Sequence, residues 1–285
     1  EGTDVTFMVD CEQHIQFLHQ LAEEVDVSVP VCIDLNVSAD YSILYFGTKR
    51  SPLTTIEKLQ SFLQTLKKYP LIQVVGAMGY DAQIAGVTDH FDNSLKSKFV
   101  QQLKKRSEQS VRSFRQHAVS LIKSQWPLAF VNGGGSGSMT YSFAQRDVTE
   151  ITVGSAFYAP ALFDRYTSLK LQPAAGFACR VVRRFSDDTF VLHGGGYIAS
   201  GAVGKDKQPV FLEKNRFSFS NLEGAGEVQS PIIDKEKRLR VGDTVMLRHA
   251  KAGELCERFQ TLHTFRGEEY YGPFKTYRGD GQCFL

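Results

Sequence analysis

The chain has 285 residues, 42% of them apolar, and a formal net charge of +2. That length holds one large domain or two ordinary ones, and the near-neutral balance excludes an electrostatic footprint for nucleic acid or for an anionic membrane. No stretch reaches the ~20 apolar residues needed to cross a bilayer. The cysteines Cys11, Cys32, Cys179, Cys256 and Cys283 form neither a CxxC pair nor a secreted framework, so a reducing, cytoplasmic setting is expected.

Val5–Val9 predicts a buried strand, and Glu12–Glu24 a helix with Ile15, Leu18, Leu21 and Ala22 on one face. A second strand follows at Pro30–Leu35. Thr54–Tyr69 is a helix with Thr54 or Thr55 as N-cap and Ile56, Leu59, Leu63 and Leu66 inward. Ile72–Met78 is the third strand, and a long polar helix runs from about Ser94 to Ser124. Its basic run, Gln101-Gln102-Leu103-Lys104-Lys105-Arg106, reads as a solvated helix face rather than a phosphate patch. Leu128–Val131 and Glu150–Val153 complete five strands, each separated from the next by helical sequence, the pattern of parallel βα units. Asp10, Asp34, Gly79-Tyr80-Asp81, Asn132–Gly135 and Gly154-Ser155 fall just after strands, on the rim where βα barrels carry their sites. Five strands fit an open sheet or an incomplete βα barrel, and the incomplete barrel is the expectation. Beyond about Tyr166, near Arg165 to Gln172, short strands and turns replace long helices. The strands fall at 176–184, 189–192, 217–219, 242–247 and in the tail, Thr276–Phe284. This divides the chain into a partial barrel at 1–166 and an all-β domain at 167–285.

The run Asn132-Gly133-Gly134-Gly135-Ser136-Gly137-Ser138 follows an apolar strand. Consecutive glycines let backbone N–H groups converge on phosphate oxygens, Ser136 and Ser138 add hydroxyls, and a helix starting near Met139 aims its dipole at an anion. The alternative is a flexible surface loop. Gly154-Ser155, after the next strand, offers a second donor pair or a plain turn. In the β half, His249 and Cys256 are imidazole and thiol groups suited to zinc, with Glu254 as a possible oxygen ligand, but their spacing fits no zinc ribbon, and on spacing alone a lone polar histidine and a buried cysteine is the better reading. His193-Gly194-Gly195-Gly196-Tyr197 is explained by a tight turn or close packing between domains. Glu227 reads either as a site residue or as a strand-end charge.

Four strings, Val131–Ser138, Thr149–Tyr158, Gly224–Gln229 and Arg248–Phe259, together resemble bacterial amino-acid deaminases and aldolases of the D-threonine aldolase and D-serine dehydratase family. The resemblance implies a fold-type III enzyme, with an alanine-racemase-type barrel followed by a β domain. It implies pyridoxal 5'-phosphate, its phosphate held by Gly133, Gly134, Gly135, Ser136, Gly137, Ser138, Gly154 and Ser155. It also implies a divalent metal, zinc or manganese, on His249 and Cys256, although the gap between these two is longer than the family's usual one. The implied activity is a lyase on D-β-hydroxy amino acids, a dehydratase or an aldolase, in a cytoplasmic homodimer that uses neither nucleic acid nor membrane. A metal-free racemase and a non-enzymatic cofactor-binding protein are the alternatives. The family's cofactor-bonding lysine lies upstream of the Val5 strand. No lysine here matches it, Lys49 being the nearest rim lysine, so the chain as given is expected to lack the catalytic lysine and to be inactive.

Overall fold

A computed structural model describes residues 3–41, 44–199, 204–251 and 253–284. The chain forms two compact units, Glu1–Gly154 and Ser155–Leu285.

The first unit alternates strands and helices. In order they are β1 (Phe7–Val9), α1 (Glu12–Val25), β2 (Val29–Asp34), a small hairpin of β3 (Ala39–Asp40) and β4 (Tyr45–Phe46), and α2 (Ile56–Leu66). Then come β5 (Ile72–Gly79), α3 (Ala82–Ala85), α4 (Ser94–Lys123), β6 (Phe130–Gly133), α5 (Met139–Phe143) and β7 (Glu150–Ile151). Five strands pair in the order β1-β2-β5-β6-β7, all parallel. This is a partial βα barrel, and because the strands run the same way, their C-terminal ends share one rim. Ile15 and Leu18 of α1, Leu59 and Leu63 of α2, and Val111 and Ile122 of α4 close over Val31, Ile33 and Val74 of the sheet. Each fully buried aliphatic side chain contributes about 1.5–3 kcal/mol relative to exposure. The Thr55 hydroxyl caps α2 by accepting from the Lys58 N–H, as one of the two expected threonines.

Several details of this unit differ from the sequence reading. Lys104, expected on a solvated helix face, is 5% exposed and pairs with the buried Asp89 at 3.0 Å. Val5, Phe7 and Met8 are 48%, 44% and 43% exposed rather than buried, because β1 pairs on one side only and lies at the sheet edge. The helix after the glycine run is only five residues long, preceded by a 3-10 turn at Ser136–Ser138. It is too short to supply the dipole expected of it.

The second unit is built on a six-stranded sheet. Its elements are β8 (Phe177–Arg184), β9 (Thr189–His193), β10 (Val210–Phe211), β11 (Phe217–Phe219), β12 (Gln229–Asp234), β13 (Thr244–Arg248), α6 (Glu254–Arg258), β14 (Thr261–Arg266) and β15 (Glu269–Lys275). The sheet order is β10-β13-β8-β9-β12-β11, and β14 and β15 form a separate hairpin. The core is apolar and aromatic, with Phe177, Val181, Phe190, Leu192, Ile232 and Leu247 at its centre. The segment 155–166 groups with this unit because its backbone is bound there: Ala161 and Leu162 donate to the carbonyls of His249 and Ala250, and Arg248 grips Asp164 and the Ala159 and Pro160 carbonyls. The expected tail strand is absent. Residues 276–284 form turns, closed locally by Asp280 N–H to Thr276 O and Gln282 N–H to Tyr277 O. No helix among the described residues is long and apolar enough to cross a membrane.

Asp234, fully buried at the end of β12, anchors the turn that follows. Burial acts to raise its pKa. The Arg216 guanidinium and the N–H groups of Arg238, Leu239 and Glu236 outweigh burial and hold it down at about 2. A carboxyl with a depressed folded pKa stabilises the fold above its unfolded value of about 3.9 and loses that contribution as pH falls. Asp234→Asn is expected to lower the urea unfolding free energy by about 3 kcal/mol at pH 7. It should also flatten the wild-type acid loss between about pH 4 and pH 2. Equal stability of the two proteins at pH 7 would contradict this role.

Candidate functional site

The rim of the parallel sheet gathers the polar residues that follow its strands. Asp10 follows β1, Asp34 ends β2, Tyr80 and Asp81 follow β5, and the glycine run leaves β6. Burial, followed by the nearby Asp10 charge, pushes the Asp34 carboxyl up to about 6, with Arg50 pulling it down. A small pocket on this rim is lined by Asp34, Asn36, Arg50, Ser51 and Tyr80. Its floor is the loop after β2, stapled by the Asn36 amide donating to Ser51 O at 2.7 Å and accepting from Ser38 N–H at 3.1 Å. The Arg50 guanidinium lies 5.4 Å from the centre of the Tyr80 ring. Lys49 is exposed, its ammonium 5.9 Å from the Tyr45 ring centre.

The glycine run is a fitted loop rather than a flexible one. Gly134 has φ +84°, and a Cβ there would lie 2.6 Å from the Ser142 hydroxyl; at Gly135 a Cβ would meet the Tyr80 ring at 3.0 Å. What fixes the loop is Asp81, which is fully buried. One of its oxygens accepts from Ser138 at 2.8 Å, and the other accepts from Ser142 at 3.4 Å and from Arg115 Nη2 at 3.5 Å. Burial raises the Asp81 pKa, opposed by Arg115 and by the Ser138 hydrogen bond. Ser138 therefore spends its hydroxyl on the loop's own architecture. Arg115 also donates to the Gly79 carbonyl, and its Nε and Nη1 are buried without a partner.

The second expected element sits beside the first. β6 and β7 are parallel neighbours with Gly133 opposite Ile151. Thr152 donates from its hydroxyl to the Asn132 amide oxygen at 3.0 Å, and Gly154 N–H donates to the Ser136 hydroxyl oxygen at 3.3 Å. A Cβ on Gly154 would meet nothing within 4 Å, so this turn borders open space. Ser155 opens a 3-10 turn, Ser155–Phe157.

In the second unit His249, at the end of β13, is 1% exposed, and Cys256, in α6, is 8% exposed. Neither ring nitrogen of His249 makes a well-formed hydrogen bond, with the Ala175 backbone a weak neighbour. Burial and the adjacent Arg248 charge push the His249 pKa down to about 4, leaving a neutral imidazole, the form that ligates metals. Tyr158 lies beside both residues. Its hydroxyl is 3.7 Å from Cys256 Sγ, and its ring packs edge-on to His249 at 6.3 Å between centres. Glu254 accepts from the Ala250 and Lys251 N–H groups through one oxygen and leaves the other buried without a partner, so it remains the rival oxygen ligand. His249, Cys256 and Glu254 do not form a three-donor group. Among the described residues only Asp10, Cys11 and His14 do. Ala252, inside the Arg248–Phe259 string, lies outside the described residues. The second glycine run is a packing device within this unit. At Gly196 a Cβ would lie 2.4 Å from the Gly226 carbonyl carbon, and Ser230 ties the two loops through Gly194 O and Gly226 N–H. Glu227 is exposed just before β12.

Sequence reasoning missed Arg115, Ser142 and Tyr158. The signal for Arg115 was present, because Val111, Ala118 and Ile122 are buried on one helical face and the same spacing turns residue 115 inward.

No protein-family model matches the chain, and no curated protein matches it. Solved structures do. The fold is similar to that of D-threonine aldolase from Filomicrobium marinum, with a TM-score of 0.76 and 14% identity over 96% of this chain and 70% of that one. It is similar to D-threo-3-hydroxyaspartate dehydratase from Delftia sp. HT23, with a TM-score of 0.68 and 13% identity over 96% and 73%. An alanine racemase-like protein from Idiomarina loihiensis aligns with a TM-score of 0.66 and 13% identity over 95% and 70%. At these identities the likeness is one of fold.

The two glycines of the rim should respond differently to substitution. Gly134→Ala forces a side chain into a positive-φ position against Ser142 and is expected to cost about 2 kcal/mol in denaturant unfolding. Gly154→Ala meets open space and should change stability by less than about 0.5 kcal/mol. Equal losses would contradict a fitted glycine loop.

Proposed function

We propose that this chain forms most of a pyridoxal-phosphate-dependent, metal-assisted lyase acting on D-β-hydroxy amino acids, by dehydration with loss of ammonia or by aldol cleavage. The observation that carries the proposal is the convergence of the glycine run and the Gly154 turn on one rim, joined at Ser136. A phosphate dianion needs several donors fixed in one place before it arrives. The Asp81 anchor supplies that fixity, and Arg115, whose charge is matched by Asp81, keeps Nε and Nη1 as donors without a partner beneath the loop. Gly133–Ser138 with Gly154 and Ser155 would hold the phosphate, although Ser138 acts through Asp81 rather than by donating its own hydroxyl.

Pyridoxal phosphate, when bound, supplies an electron sink for the substrate α-carbon. His249 and Cys256 would hold a divalent metal, zinc or manganese, whose chemistry is Lewis acidity toward a β-hydroxyl. The fit is chemical: His249 is buried and neutral with unsatisfied nitrogens, and such groups cost about 1–3 kcal/mol if left without a partner. With one ring nitrogen on a metal, the other can give its proton to the Ala175 backbone, the usual way such a ring is oriented. This favours the metal-assisted lyase over a metal-free racemase. Tyr158 would fix the Cys256 thiol and wall the His249 ring from water. A cytoplasmic homodimer acting on a small D-amino acid completes the reading.

No lysine of this chain matches the family's cofactor-bonding lysine, so the chain should hold the cofactor through its phosphate and not covalently. In equilibrium dialysis of the 285-residue chain, pyridoxal phosphate should bind at least about tenfold more tightly than pyridoxal and be displaced by inorganic phosphate. Borohydride reduction followed by peptide mapping should find no single labelled lysine. Equal affinity for the two compounds would sink the phosphate loop, and specific labelling of one lysine would sink the reading that no lysine of this chain bonds the cofactor.

A further inference from the structure

We propose that Asp10, Cys11 and His14 form a second, independent site for a divalent cation of the zinc class, where β1 passes into α1. The proposal uses neither His249 and Cys256 nor the phosphate loop, and takes only Asp10 from the rim. Among the described residues these three are the one group of at least three His, Cys, Asp or Glu donors whose ligand atoms all lie within 4.8 Å of one another. The local fold explains why they meet. Asp10 leaves the strand, and Cys11 is the N-cap of α1 with extended backbone, φ −146° and ψ 163°. His14 is the third residue of the helix. The N-cap and the third helical position face each other across the first turn, the geometry that lets capping residues reach one another.

Three features distinguish the group from a chance acidic cluster. Its donors are mixed: oxygen, sulfur and nitrogen. Hard cations such as magnesium and calcium prefer all-oxygen cages, and a thiolate with an imidazole selects zinc and its neighbours. The spacing is compatible with ligands: His14 Nδ1 lies 3.1 Å from Asp10 Oδ1, an i,i+4 contact that a cation would replace by ligating both atoms. Two ligand atoms at bond lengths of about 2.0 Å around a tetrahedral ion are about 3.3 Å apart. Finally, the Cys11 side chain makes no capping hydrogen bond, so the sulfur is not spent on the helix end. Three protein donors leave a fourth tetrahedral position for water or a further ligand. Cys11 and Asp10 are half-buried and His14 is exposed, so an ion can enter without the fold opening. Binding requires the thiol to lose its proton to solvent, and it clips the strand end to the first helical turn.

The probe is cobalt(II), whose bond to a thiolate gives an intense near-ultraviolet charge-transfer band, titrated into the full chain. Wild type is compared with Cys11→Ser, His14→Ala and Cys256→Ser, each checked for an unchanged melting curve without metal. Cys11→Ser is expected to lose one equivalent of the thiolate band, His14→Ala to weaken that equivalent at least tenfold, and Cys256→Ser to retain it. Zinc should displace the cobalt and shield Cys11 from a thiol reagent. A band of undiminished stoichiometry in Cys11→Ser overturns the proposal, as does the absence of cobalt binding in Cys256→Ser. Either result leaves the phosphate-loop reading untouched, since that reading is tested without metal.

Discussion

The first unit depends on how it accommodates one buried carboxylate. Asp81 follows a central strand and is fully buried. An ionised carboxylate removed from water costs several kcal/mol unless charge and hydrogen bonds compensate it. The compensation comes from three places distant in sequence: the Arg115 guanidinium on α4 and the hydroxyls of Ser138 and Ser142 beyond β6. Satisfying Asp81 therefore fixes where the glycine run must go. The loop is held from beneath where Ser138 and Ser142 donate to Asp81, and its glycines are required because Ser142 and Tyr80 press against the backbone.

That constraint links the fold to the chemistry. Parallel pairing puts the strand ends on one rim, and the Asp81 network turns one of those ends into a preorganised backbone surface. The Asn132 side chain and the Ser136 hydroxyl join it to the neighbouring turn. In the second unit the same economy appears at Asp234, where a buried carboxylate organises the turn after β12 through Arg216 and backbone N–H groups. His249 differs, and the buried Oε2 of Glu254 and Oε1 of Glu257 also lack partners. The imidazole is buried, neutral and without well-formed partners, a condition structural histidines rarely tolerate and metal ligands do.

The succession of parallel strands and helices along the chain was legible because β-branched runs alternate with long stretches of helical period. The Thr55 cap and the buried face of α2 follow from the same patterns, as does that of α1 except at Leu21, which is 40% exposed. The exposure of β1 was not legible, since the composition of Val5–Val9 is that of a central strand and only pairing shows it to be an edge. The β half was read less well. Thr276–Phe284 has aromatic content but closes into turns around Gly279 and Gly281, and the β14–β15 hairpin and β12 passed unnoticed among charged and aromatic residues. Of the candidate site, the glycine run and Gly154 could be found from their place after strands. The role of Ser138 could not, because its partner Asp81 lies 57 residues earlier in the chain.

The central claim is that Gly133–Ser138 and Gly154 form one phosphate-binding surface. Backbone amide chemical shifts, followed during titration with pyridoxal 5'-phosphate and separately with pyridoxal, test it most directly. The account predicts that the amides of Gly134 through Ser138 and of Gly154 shift together with a single binding constant for the phosphate ester, and barely respond to pyridoxal. Shifts concentrated elsewhere in the chain, or an identical response to both compounds, would contradict it.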